Sequence, residues 1–137
     1  MIIFRKIKLE DLDVIYNDQI LRPLLTAEAP DPGQRFGMVI ERDKCIVGGV
    51  CGYRLYGRAF INCVIIKNSR EEAVLLDGLI RSLIHVLDRE GVKELYAVDD
   101  KYRQLYAAIG FEPVKPEGVP HNLMVDISEF FNKKHCH

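Results

Sequence analysis

The chain has 137 residues, with 19 basic and 20 acidic side chains and a formal net charge of −1. That length suits one domain, residues 1–137, with a core large enough to stand without disulfides or a structural metal. The near-neutral balance excludes the strong basic field that gathers nucleic acid or an anionic membrane, and 48% hydrophobic with 28% charged residues is an ordinary globular mix.

No apolar run approaches the ~18 residues needed to span a bilayer. The start, Met1-Ile2-Ile3-Phe4-Arg5-Lys6, lacks the charged, apolar and small-residue parts of a signal peptide. The four cysteines, Cys45, Cys51, Cys63 and Cys136, have no CxxC spacing, and three lie in strand-like runs where a reduced thiol behaves as a small hydrophobe. These features predict a reduced, cytoplasmic protein.

In chain order, residues 2–7 read as a strand. Residues 9–21 read as a helix, with Leu12, Ile15, Tyr16 and Gln19 at helical spacing and Glu10, Asp11 and Asp13 at its positive end. Residues 22–34 contain Pro23, Pro30, Pro32 and Gly33 and form a loop, with room for one helical turn at Leu24-Leu25. Three strands follow as an antiparallel meander, over 36–42, 45–55 and 59–67, with turns at Asp43-Lys44 and near Gly57. Gly48, Gly49 and Gly52 mark a bulge or a close backbone approach.

Residues 70–90 carry the strongest helical signal. Leu76, Leu79, Ile80, Leu83, Ile84 and Leu87 recur on one face, while Asp77, Arg81 and Asp88 face away, and Gly91 ends the run. A strand over 93–98, a helix over 101–109 capped by Gly110, a strand over 111–114, a loop over 116–120 and a last strand over 123–127 complete the chain. A meander followed by strand–helix–strand is mixed α/β with one parallel crossover.

The segment Leu105-Tyr106-Ala107-Ala108-Ile109-Gly110-Phe111-Glu112-Pro113 runs from an amphipathic helix through a glycine straight into a strand. It resembles the C-terminal signature of the GCN5-related N-acetyltransferase (GNAT) family, and the element order from about residue 2 to residue 128 is similar to that fold. The resemblance implies a mixed central sheet with an antiparallel meander and a β-α-β-α-β C-terminal half. The strands over 59–67 and 93–98 would be parallel and splay at their C-terminal ends. It also implies acetyl-coenzyme A as cosubstrate, a primary amine as acceptor, and direct attack of the amine on the thioester.

On the same resemblance, Tyr106 is the general acid for the departing thiolate, on the helix face that holds Tyr102, Leu105 and Ile109. Main-chain groups of Val64, Ile65 and Ile66 hold pantetheine. The family's pyrophosphate pattern places Arg70 at its first position, Ala73 and Leu75 where glycines are usual, and Val74 between them. A helix start offers amides to an anion, but Glu71 and Glu72 bring negative charge there and Leu75 brings bulk. Asp99 stands where the family commonly has asparagine, without the amide donor. These departures favour a second reading, a worn member of the fold that lost turnover and senses acyl-coenzyme A or contacts a protein. A homodimer through edge strands is a third.

Glu41, Tyr53, Asn62 and His121 are the candidates for taking the proton of the amine. His85 reads as solvent-facing. Arg54, Arg58, Lys67 and Arg70 either gather near one end of the meander, where they could meet coenzyme A phosphates, or are scattered solvated charges. Residues 22–34 and 116–121 would line the acceptor side. The tail His135-Cys136-His137 has soft-metal ligand types but lacks the further ligand a site needs, so no metal is expected.

Overall fold

The computed structural model describes residues 1–67 and 69–135. Its elements run β1 (Ile2–Lys6), a 3-10 turn (Leu9–Asp11), α1 (Leu12–Asn17), α2 (Pro23–Thr26), β2 (Gln34–Arg42), β3 (Cys45–Leu55) and β4 (Arg58–Ile66). A 3-10 turn (Ser69–Glu71) then leads into α3 (Glu72–Arg89), β5 (Glu94–Ala97), α4 (Arg103–Ile109), β6 (Glu112–Pro113), β7 (Leu123–Asp126) and α5 (Ile127–His135). The seven strands form one mixed sheet in the order β1-β2-β3-β4-β5-β7-β6. β4 and β5 run parallel, and the other neighbours are antiparallel.

Both turns of the meander place two consecutive residues at positive φ, Asp43 with Lys44 and Tyr56 with Gly57. That backbone matches the right-handed twist of the flanking strands. Alternation along β2 and β3 then sends Met38, Ile40 and Val50 to one face and Val39 and Cys51 to the other. The first face receives α3, whose Leu75, Leu76, Leu79, Ile80, Leu83, Ile84 and Leu87 are all buried. Each such side chain contributes about 1.5–3 kcal/mol on burial. The second face receives Ile15 of α1 and Leu24 of α2.

Three expectations need correction. The helix over 9–21 stops at Asn17, because the Asp18 carboxylate accepts from the amides of Ile20 and Leu21 and pairs with Lys67, fixing the chain in a turn. Tyr16 is consequently exposed rather than packed. The strand over 111–114 shrinks to two residues. The last strand is present but ends at Asp126, and the chain continues into α5, a helix the expected element order lacked. Tertiary contacts hold α5, with Arg81 over the Phe130 ring at 5.7 Å and Phe131 edge-on to His85 at 4.9 Å. Of the tail run, Cys136 and His137 lie outside the described residues.

The meander glycines sit where backbones approach. A Cβ on Gly52 would stand 2.0 Å from the Phe60 carbonyl oxygen, which is main chain and cannot swing aside. Gly52→Ala is therefore expected to destabilise the fold by about 1–3 kcal/mol, the cost typical of overpacking. A urea midpoint unchanged from the parent would show that β3 and β4 are not this close.

Candidate functional site: a wedge between parallel strands

β4 and β5 pair over three residues only, Arg58↔Glu94, Ala59↔Leu95 and Phe60↔Tyr96. β5 then ends at Ala97, while β4 continues to Ile66 against β3. A bulge marks the parting point. Cys51 faces Cys63 and Gly52 faces Ile61, so Asn62 is the extra residue, and a bulge bends the strand that carries it. Beyond Phe60 the β5-facing edge of β4 has no strand partner among the described residues, and this stretch includes Val64, Ile65 and Ile66.

The first carbonyl left over at the parting, that of Ile61, accepts a hydrogen bond from Nε2 of His121 at 2.8 Å. A carbonyl oxygen only accepts, so Nε2 carries the proton in the neutral ring and Nδ1 holds a lone pair. That Nδ1 is buried with no partner among the described residues. Burial holds His121 below its ordinary pKa of 6.5, partly offset by the bond to Ile61. Around it Tyr53, Phe60 and Tyr96 stack in sequence at 5.0 and 4.9 Å, with His121 edge-on to Phe60 at 5.2 Å.

Tyr106 is buried in α4, with its ring 4.9 Å from Phe111 across the Gly110 cap. Gly110 has φ of 130° and closes the helix, as its position predicts. Burial pushes the phenol well above its ordinary range, with Asp100, Tyr102 and Cys63 adding to the rise. The hydroxyl stays protonated at any physiological pH.

At the far end of β4 the 3-10 turn feeds α3. Glu71 is ion-paired with Arg42. Burial first and then the Glu72 carboxylate push the Tyr102 phenol above its ordinary range. Lys101 stands 3.9 Å from Glu72. The two acids are thus met by cations before any ligand arrives. Ala73 and Val74 are exposed at this helix start. Leu75 is fully buried, so its bulk faces the core and not an approaching phosphate, which corrects the expectation from its sequence position. Asp99 is paired with Arg103 at 2.9 Å, and its amide donates to the Asn122 side chain.

No family model matches this sequence, and no curated protein matches it either. Solved structures do match in shape. The ribosomal-protein-S18-alanine N-acetyltransferase of Escherichia coli superposes with a TM-score of 0.68 at 13% identity, over 93% of this chain and 94% of that one. The aminoglycoside 6'-N-acetyltransferase of Enterococcus faecium gives 0.68 at 14%, over 91% and 97%. The PaiA N-acetyltransferase of Thermoplasma acidophilum, solved with coenzyme A, gives 0.69 at 11%, over 92% and 99%. The chain has the GCN5-related N-acetyltransferase fold.

Within this acetyltransferase fold the wedge brings together Tyr53, Asn62 and His121 but leaves out Glu41. Glu41 lies on β2, pairs with β1, and is bonded to Arg5 at 2.9 Å. Asn62 donates to the Glu28 carbonyl at 2.7 Å and so ties the loop after α2 to the bulge. Of the two arrangements open to the four basic residues, the scattered one is found. Arg54 and Arg58 sit at one end of the meander beside Glu90 and Glu94, and Lys67 and Arg70 sit at the other, ~30 Å along the strand. A separate cavity of about 330 Å³ opens between α2 and the C-terminal half of α3, away from the start of that helix, and reaches Gly52 at the bulge. Sequence reading missed Arg42 and Lys101 as partners of the two acids, because both pairs join segments distant in the chain. Among the described residues, no helix is long and apolar enough to cross a membrane.

The depressed pKa of His121 fixes the sign of a pH effect. In the unfolded chain the ring gains a proton near 6.5, while in the folded protein it resists protonation until lower pH. The stability held above that value is lost as pH falls through 6.5 towards the folded value. Urea denaturation at pH 7 and pH 5 should show a drop that shrinks in His121→Gln. An equal drop in the two proteins would mean that His121 titrates normally.

Proposed function

We propose that this protein moves an acetyl group from acetyl-coenzyme A to a primary amine by direct attack. The observation that carries the reading is the wedge itself. An unpartnered main-chain edge of β4 runs from the parting point to a helix N-terminus, and α4, which follows β5, carries the buried, protonated phenol of Tyr106. Extended pantetheine amides would pair with the main chain of Val64, Ile65 and Ile66, as an added strand does. The turn formed by Arg70, Ala73, Val74 and Leu75 would turn its amides to the pyrophosphate. Asp99 would stand at the wedge mouth, its charge held by Arg103.

In the reaction the amine nitrogen attacks the thioester carbonyl, and the tetrahedral intermediate collapses by breaking the carbon–sulfur bond. The thiolate takes the Tyr106 proton. A phenol held protonated by its surroundings suits that task. His121 serves the geometry and not the proton transfer, since its free ring nitrogen is sealed inside the protein. The acceptor would enter beside Asn62, Tyr53 and the loop after α2.

A second reading has its own observation. Glu71 and Glu72 occupy the anion-binding helix start, and no glycine opens that turn. A fold member without turnover, sensing acyl-coenzyme A or contacting a protein, would show the same feature. Calorimetry with acetyl-coenzyme A and free coenzyme A separates the two. Micromolar binding, about −8 kcal/mol, supports the transferase, and no heat at millimolar ligand rules it out. Because Glu71 already neutralises Arg42, Glu71→Gln should release that cation to the pyrophosphate and tighten coenzyme A several-fold. Leu75→Gly would only empty the core.

Tyr106→Phe keeps the ring packed on Phe111 and removes only the hydroxyl. With an amine found by screening, kcat is expected to fall about 10²-fold or more, with little change in KM or in the melting temperature. Unchanged kcat would remove Tyr106 from the chemistry.

A further inference from the structure

The bulge that opens the wedge also sets two thiols face to face. Cys51 on β3 and Cys63 on β4 are direct cross-strand partners, the last pair in register before the bulge. Directly opposed residues of antiparallel strands have Cα atoms about 4.5–5.5 Å apart, and disulfides form at Cα separations of about 4.4–6.8 Å. Both side chains lie on the face covered by α1 and α2. Cys51 is buried, with its thiol donating to the Pro23 carbonyl at 3.8 Å, while Cys63 is partly open. Cys45 is exposed at the other end of β3, ~20 Å along the strand, too far to compete within one chain.

The environments of the two thiols differ in the way that a sequential reaction needs. The facing Cys51 holds the Cys63 thiol below its ordinary pKa, while the facing Cys63 and burial push Cys51 up and keep it protonated. The accessible member is the nucleophile, and the sealed member waits behind it.

We propose that Cys51 and Cys63 form a reversible thiol-modification site, in which a hydroperoxide oxidises Cys63 and Cys51 then closes a disulfide across β3 and β4. The Cys63 thiolate attacks a peroxide oxygen, breaking the O–O bond to give a sulfenic acid and hydroxide. Cys51 attacks the sulfenic sulfur, the S–O bond breaks, and the departing hydroxide takes the Cys51 proton as water. With hydrogen peroxide, two thiols and one peroxide yield one disulfide and two waters. Sulfur is oxidised and peroxide is reduced. Two thiols of an external dithiol reverse the step. The inference does not depend on acetyl transfer.

The test uses the full chain treated with stoichiometric hydrogen peroxide, then denatured, alkylated and mapped by mass spectrometry. Two of the four thiols should be lost to the alkylating reagent, in one linked pair of peptides that contain Cys51 and Cys63. Dithiothreitol should restore both. Cys51→Ser should leave Cys63 as a sulfenic acid that dimedone traps, and Cys63→Ser should leave Cys51 fully alkylatable. Accumulation of Cys63 sulfinic acid beside an alkylatable Cys51 would overturn the proposal. So would a link through Cys45 or Cys136 in place of this pair. If a serine variant fails to fold, the peptide map of the parent protein still decides.

Discussion

Two parallel strands that stop pairing after three residues leave polar main-chain groups without their natural partners. An unpaired buried carbonyl costs as much as a lost hydrogen bond, so the fold must supply another donor or admit a ligand. Here it does the first at Ile61, through His121. Further along β4 the edge stays open, and that edge is where an extended ligand can pair. The bulge at Asn62, the close approach at Gly52 and the stacked rings of Tyr53, Phe60 and Tyr96 all converge on the parting point. They hold the strands apart at a defined place.

Electrostatics at the start of α3 work differently. A helix N-terminus favours anions, and this one begins with two carboxylates of its own. Their charge is met by Arg42 and by Lys101 with Tyr102. These contacts are partly exposed, so each contributes little to stability. Their importance is competitive, because a pyrophosphate would have to take over cations that already have carboxylate partners.

The same bulge serves two ends. It tilts β4 away from β5, and it leaves Cys51 and Cys63 as the last directly opposed pair before the register shifts. Oxidation chemistry and the opening of the wedge therefore share one strand segment.

Sequence by itself determined the element order, the buried face of α3, the caps at Gly91 and Gly110 and the two hairpin turns. Each is a local matter, set by periodicity over a few turns or by one residue's allowed φ. It also placed Tyr106 on a buried face beside Tyr102 and Ile109. Only the tertiary structure decided that Asp18 would end α1, that Phe130 and Phe131 would hold α5 as a helix, and that Leu75 would turn inward. Only the fold could set His121 under the Ile61 carbonyl, separate Glu41 from the wedge, give Glu71 and Glu72 their cations and align Cys51 with Cys63. Those outcomes depend on strand register and on contacts between residues far apart in the chain, and hydrophobic periodicity carries no record of either.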